Sequence, residues 1–177
     1  MTMAIALRMA GPADIAFIMR TERGSGFADL VGRWEEHQHQ AELAKPGSAY
    51  LVGESRGAPN GFAILRDLDD PFGNVLLKRI AVQAPGSGFG KAFLHTIVDW
   101  VFGQERPHRL WLEVFVQNER ARHVYRSLGF REDGVLREVY ARPDGTRVSQ
   151  VLMSILRPEW RASGADSDPV ARASSVS

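Results

Sequence analysis

The 177-residue chain contains no cysteine. That excludes a disulfide framework, cysteine-ligated zinc, iron–sulfur clusters and any thiol nucleophile able to carry a transferred group. Long hydrophobic runs are also missing, and none approaches the ~20 residues needed to cross a bilayer. The opening residues MTMAIALRMAG have no basic flank, and Arg8 interrupts their apolar stretch, which makes a poor secretory signal. Neither charge sign dominates: 22 Lys+Arg stand against 21 Asp+Glu, a formal charge of +1. Such a balance argues against a dedicated nucleic-acid binder. With 44% hydrophobic and 24% charged residues the composition is that of a globular protein. The expectation is a cytoplasmic, soluble, single-domain protein with no membrane and no nucleic-acid partner.

What is present is an alternating α/β pattern over residues 4–160. A short apolar strand (3–9) precedes a helical pattern at 14–20 and a polar helix-like stretch at 27–44, which Pro46-Gly47 ends. Two apolar runs, 49–52 and 61–65, flank a turn-rich segment and read as a hairpin. A strand at 75–82 enters the segment APGSGFGK, after which Phe93, Ile97 and Val101 mark the buried face of a helix. The β-prone run RLWLEVFV (109–116) leads to a helix opened by Asn118, striped by Ala121, Val124, Tyr125 and Leu128, and stopped by Gly129. Strands at 135–140 and 148–156 around Pro143-Asp144-Gly145 close the domain. Residues 161–177 are small, polar and aperiodic, and read as a disordered tail. This order gives a mixed sheet with helices on its faces.

The loop Pro85-Gly86-Ser87-Gly88-Phe89-Gly90-Lys91 lies between a strand and a helix. Glycines let backbone N–H groups approach a phosphate, and the helix start adds partial positive charge. Lys91 in the first helical turn opposes the helix dipole, which is better explained if an anion sits there. A Walker A loop would need glycine at Pro85 and a hydroxyl at Ala92, so it fails twice. A dinucleotide fingerprint would need glycine at Lys91 and fails as well. Either GxGxG enters the helix as an anion site, or it is simply a glycine-rich turn.

The segment LWLEVFVQNERARHVYRSLGF places Asn118 after a strand, then Ala121, Tyr125 and Gly129-Phe130 at fixed intervals. Together with the upstream glycine loop, it resembles the GNAT superfamily of acyl-CoA-dependent N-acetyltransferases. LWLEV followed by Tyr125 is similar to the ribosomal-protein N-terminal acetyltransferase branch. The likeness covers nearly all of the chain except its tail. It implies an α/β (α+β) fold whose mixed, mainly antiparallel sheet has about seven strands and helices on both faces. One departure stands out: Pro85 occupies a position where the family has Gln or Arg, and the link from strand to loop is shorter.

The resemblance implies acetyl-CoA as co-substrate, no metal, and an amine acceptor, either a small molecule or a protein N-terminus. Homodimers are common in the family. Tyr125 is implied as general acid toward the departing thiolate; as a stripe residue it also has the ordinary reading of core. Glu113 is implied as the base, acting directly or through water. It could instead face solvent by strand alternation or pair with Arg109. The main chain of Ile80, Ala81 and Val82 is implied to pair with the pantetheine arm. The diphosphate falls to the amides of Gly86, Ser87, Gly88, Phe89, Gly90 and Lys91. Asn118 joins this coenzyme-binding set and is equally a favoured helix N-cap. Arg120, Arg122, His123 and Arg126 form either a site for the adenosine 3′-phosphate or a solvated helix face. Trp34, Glu35 and Glu36 fall where the family's opening helices line the acceptor channel, and acidic side chains there would suit a cationic amine, although a solvated polar helix is the more common explanation. His37 and His39 do not share a helix face, so a metal site there is not expected.

Two functions from different classes follow: direct acetyl transfer to a primary amine in a ternary complex, or a non-catalytic acyl-CoA-binding sensor on the same fold. A phosphotransferase using the glycine loop is disfavoured by the failed Walker match.

Overall fold

The runs 49–52 and 61–65 are apolar at successive positions, and since successive side chains of a strand face opposite sides, such runs bury both faces of a sheet. The computed structural model describes residues 4–24 and 33–165 and shows that sheet to have seven strands. Strand β1 (Ala6–Met9) is followed by a 3-10 turn at Pro12–Asp14, helix α1 (Ile15–Glu22) and helix α2 (Glu36–Leu43). A meander of β2 (Ala49–Ser55), β3 (Ala58–Arg66) and β4 (Asn74–Val82) comes next. Helix α3 (Phe89–Phe102), β5 (Arg109–Phe115) and helix α4 (Glu119–Ser127) precede a final hairpin of β6 (Arg131–Ala141) and β7 (Arg147–Leu156). The order across the sheet is β1-β2-β3-β4-β5-β7-β6, and every pairing is antiparallel except β4 with β5. This is the mixed, mainly antiparallel architecture expected from the sequence.

Two differences concern helices. The polar stretch read as helix from 27 becomes helical only at Glu36, where Gln38 Oε1 accepts the N–H of Glu35 at 2.9 Å and fixes the start. Its part at 27–32 lies outside the described residues. At the other end β7 runs straight into α5 (Arg157–Ala165), so the first residues of the segment read as tail are helical. Arg157 makes that continuation specific. Its guanidinium donates to the carbonyls of Phe102 (2.7 Å) and Pro107 (2.6 Å), satisfying oxygens left open after α3. Residues 166–177 lie outside the described residues.

The sheet has a core on each face. Leu51, Leu65, Val75, Leu110 and Met153 face α3, whose apolar side buries Phe89, Phe93, Ile97 and Val101. Gly53 is required here, because a Cβ would fall 2.5 Å from the Phe93 ring. On the opposite face, Tyr50, Val52, Phe62 and Ile64 pack against Phe17 and Ile18 of α1.

This second core contains a polar hub. Glu22 is fully buried and accepts from Arg79 Nη1 (2.8 Å) and from the Trp34 N–H (3.1 Å). His39 Nε2 lies 3.2 Å from Glu22 and its Nδ1 3.1 Å from the Tyr50 hydroxyl. A neutral His39 satisfies both, donating from Nε2 to Glu22 and accepting the phenol at Nδ1. The indole of Trp34 stacks on the Arg79 guanidinium, 4.3 Å from it. The hub ties α1 and α2 to the middle of β4, and a buried ion pair satisfied this fully is costly to break.

Candidate active site

The site originates in a pairing that stops early. Strands β4 and β5 share only three register pairs, the last being Leu76 with Trp111. Beyond that point β5 stays paired with β7 as far as Phe115, and β4 stays paired with β3 as far as Val82. The two halves of the sheet therefore splay apart. Between them opens a cleft of about 1460 Å³, lined by both strands, the glycine loop, α4 and the β6–β7 hairpin. A single small-molecule pocket typically measures ~300–1,000 Å³, so this one has room for two reactants.

Main-chain groups on one wall turn toward the cleft. Gln83 N–H donates to Asn60 O at 2.8 Å, so its polar groups point toward β3. Strand alternation turns those of Val82 and Ile80 the other way, into the cleft, and commits Ala81 to β3. Of the three β4 residues expected to meet a ligand through their backbone, the outer two present it. The cleft edge of β4 is thus open to an added extended segment.

The glycine loop closes one end. Gly86 and Gly88 are left-handed, at φ +95° and +84°, and Gly88 is the N-cap of α3. Ser87 Oγ donates to Ala84 O at 2.9 Å and accepts the Phe89 N–H at 3.4 Å, so this hydroxyl braces the loop. The Phe89 side chain is core, 5.5 Å from Phe93 between ring centres. Gly86, Gly88, Gly90 and Lys91 line the cleft, and first-turn N–H groups have no intrahelical partner.

Helix α4 forms the adjoining wall. Asn118 Oδ1 accepts the Ala121 N–H at 3.1 Å, so the N-cap role is realised while the residue also lines the cleft. The arginine cluster divides. Arg122 and Arg126 both bind Glu132, at 2.9 and 2.6 Å, and so face away from the opening. Arg120 and His123 line the cleft, and Arg120 lies so close to Gly86 that a Cβ there would approach its guanidinium to 3.2 Å. Lys91, Arg120 and His123 therefore gather around the loop.

Tyr125 projects from α4 into the same space, half-buried against Phe130, with ring centres 5.7 Å apart. Burial pushes its phenol up to about 12. Such a group stays protonated at neutral pH and acts as a donor. Glu113 stands on the other face of β5, because Leu112 and Val114 are buried toward α3 while Glu113 is exposed. It lines the cleft, and its alternative partner Arg109 pairs instead with Asp133 at 2.6 Å.

Several wall residues were not marked by the sequence reading: Arg33, Arg66, Lys78 and Arg79, and Val139 and Tyr140 from the last hairpin. Lys78 is the extra residue of a β4 bulge, since Leu65 pairs with Leu77 and Ile64 with Arg79. Two successive charges inside the apolar run VLLKRIAV were the available signal. Trp34 lines the cleft as expected, but Glu35 and Glu36 do not; Glu35 pairs with Arg23 at 2.9 Å, and Glu36 accepts from Gln40. Among the described residues no group of three or more His, Cys, Asp or Glu side chains could hold a metal.

A seven-stranded sheet split between two parallel strands, with a glycine-rich helix start at the split, defines the acetyltransferase architecture. The chain belongs to the Acetyltransferase (GNAT) family, whose model matches residues 17–130. Among curated proteins it is 33% identical over 96 residues to the [Ribosomal protein bS18]-alanine N-acetyltransferase of Haemophilus influenzae, covering 53% of this chain and 62% of the relative. It is 34% identical over 61 residues to Spermidine N(1)-acetyltransferase of Vibrio cholerae, covering 34% of this chain and 35% of the relative. These matched stretches therefore span from about a third to under two thirds of the relatives' lengths. In fold, it superposes on a solved structure of spermidine N-acetyltransferase from Vibrio cholerae in complex with CoA and spermine with a TM-score of 0.77 at 22% identity, covering 89% of this chain and 98% of that one. The Escherichia coli ribosomal-protein-S18-alanine N-acetyltransferase matches with a TM-score of 0.72 at 24% identity, covering 86% and 94%.

Proposed function

We propose that the protein is an acetyl-CoA-dependent N-acetyltransferase that passes the acetyl group directly to a primary amine while both substrates are bound. The observation that carries this reading is the cleft between β4 and β5. It runs through the sheet, with the glycine loop and Tyr125 on the α3/α4 side and Glu113 on the α1/α2 side. The chemistry the coenzyme brings is an activated thioester.

This chain's residues fit that group. Amides of Gly88, Gly90 and Lys91, with the side chains of Lys91 and Arg120, suit phosphates. The free edge of β4 at Ile80 and Val82 suits the amides of a pantetheine arm, and one of its N–H groups can stabilise the negative charge that develops on the thioester oxygen. Asn118 borders the same path. Tyr125 donates a hydrogen bond to the sulfur as it departs. An acceptor ammonium has no lone pair, so a proton must leave it, and Glu113 on the far face receives that proton directly or through water. Because the chain has no cysteine, no acyl-thioenzyme interrupts the transfer.

The reading carries with it a cytoplasmic setting and the family's common homodimer. Val135, exposed on the edge strand β6, offers a place for a second copy. The test is calorimetric titration with coenzyme A followed by thiol release from acetyl-CoA over a panel of amines. Coenzyme binding with turnover, and a Glu113→Gln variant slowed about 100-fold near neutrality but rescued at high pH, is the expected result. Binding without turnover on any amine would favour the sensor, and no binding would refute both.

A further inference from the structure

The two mouths of the cleft differ in charge in a way that bears on the acceptor. On the α3/α4 side, Lys91, Arg120 and His123 surround the glycine loop, as a polyphosphate requires. On the α1/α2 side the coenzyme leaves room for the second substrate, yet the walls there are also basic. Arg33, Arg66, Lys78 and Arg79 line this mouth beside the indole of Trp34; of the two carboxylates among the described lining residues of the cleft, Glu119 at the start of α4 is paired with Arg122, and Glu113 has no such partner.

Two of the four cations are already matched. Arg79 is spent on buried Glu22 at 2.8 Å. Arg66 makes a two-pronged pair with Glu42, one prong at 2.8 Å, while its guanidinium rests 5.3 Å from the Trp34 ring. Lys78 is different. The β4 bulge places it on the same face as Arg79, and no described carboxylate lies within ion-pair distance of it. Although Lys78 is exposed, the cleft walls take part of the water from its ammonium, and Arg66 and then Arg79 repel it, while Glu113 across the opening is the main attraction. The net effect, chiefly of that lost hydration, is to hold Lys78 below the usual lysine range; the basic character of this mouth rests on Arg33, Arg66, Lys78 and Arg79 all lining it. A polyamine would bring further ammonium groups into that field.

Taking the acetyltransferase reading as given, we infer that the acceptor amine bears a carboxylate close to the reacting nitrogen, bound by Lys78 with Arg33 beside it. Lys78 and Glu113 then match an amino acid's two ends: Glu113 takes the ammonium side, where a proton must be removed, and Lys78 takes the carboxylate. An acidic residue just after a peptide N-terminus would present the same pair of charges. The site's chemistry thus selects a zwitterionic or acidic amine over a polycation.

The experiment compares kcat/KM for matched acceptors, each corrected for the amine's own pKa. Free α-amino acids are set against their amides, short peptides with Asp or Glu at the second position against those with Asn or Gln, and both sets against spermidine. The acid member of a pair should lead its amide by about tenfold or more. Lys78→Gln should collapse that ratio toward one, and Lys78→Arg should retain most of it. Which pair shows the larger ratio separates a free amino acid from a peptide end. Amides or spermidine used as well as the acids, or a ratio indifferent to Lys78→Gln, would overturn the inference. Coenzyme titration of the same preparation separates the two levels: intact coenzyme binding with no acid preference sinks only the role of Lys78, and no coenzyme binding sinks the enzyme reading as well.

Discussion

Replacing Tyr125 by Phe removes one oxygen atom that has no hydrogen-bond partner among the described residues. Little stability rides on it, so the variant should unfold within ~0.5 kcal/mol of wild type. Its effect on turnover is set by proton affinity. With the phenol at about 12 and a thiol near ~8.5, complete transfer to the thiolate is uphill by roughly 5 kcal/mol at ~1.36 kcal/mol per unit. In the proposed mechanism the phenol therefore serves as a hydrogen-bond donor to developing charge, and hydrogen bonds to charged groups contribute about 1.5–3 kcal/mol. Tyr125→Phe should accordingly lower kcat by roughly 10- to 150-fold, with coenzyme affinity little changed. Thiol release under saturating acetyl-CoA measures it, with a melting curve as control. The same position of the phenol predicts that wild-type kcat shows no falling limb from Tyr125 between roughly pH 6 and 10. A variant that keeps kcat within about twofold of wild type, or a wild-type limb near pH 9 that the variant abolishes, would refute the reasoning.

Other outcomes are as specific. Gly88→Ala puts a Cβ on a residue at φ +84° that has open space around it; it should cost about 1–2 kcal/mol in urea unfolding from backbone strain alone. It should also weaken coenzyme binding in calorimetry. Glu42→Gln tests a pH-linked contact. Burial works to raise that carboxyl, but hydrogen bonds from Arg66 and Lys45 outweigh it and hold Glu42 below its ordinary value. A depressed carboxylate contributes fully above its unfolded value and loses that contribution as pH falls through the folded one. The variant should be about 2 kcal/mol less stable near neutrality, with the gap closing below roughly pH 4, as read from urea midpoints across pH.

Much of this architecture is written in local patterns. The succession of strands and helices follows from apolar and helical runs, the start of α4 from Asn118, and the left-handed loop before α3 from glycines between a strand and a helix. The family resemblance placed Tyr125 and Glu113 at the cleft that the structure shows. What local pattern does not carry is pairing. Nothing in NVLLKRIAV or RLWLEVF states that these strands part after three pairs, because that depends on how each is held by its other neighbour. The bulge at Lys78 is hidden for the same reason, since register belongs to two strands at once. The division of the arginine cluster needed Glu132, a residue from the following strand that selects Arg122 and Arg126 and leaves Arg120 to the opening. The polar run before α2 has helical composition throughout, yet the bond between Glu35 and Gln38 decides where winding begins.

The early parting of β4 and β5 has a cost in the empty molecule. A sheet normally hides its raw margins at the periphery, where charge, proline or a short strand can guard them. Here a raw margin lies in the middle, at Ile80 and Val82, and any guard placed there would also bar an extended segment from joining β4. A coenzyme seated as proposed would complete the sheet as a surrogate strand, so saturating coenzyme A should raise the unfolding midpoint and slow aggregation of the purified chain.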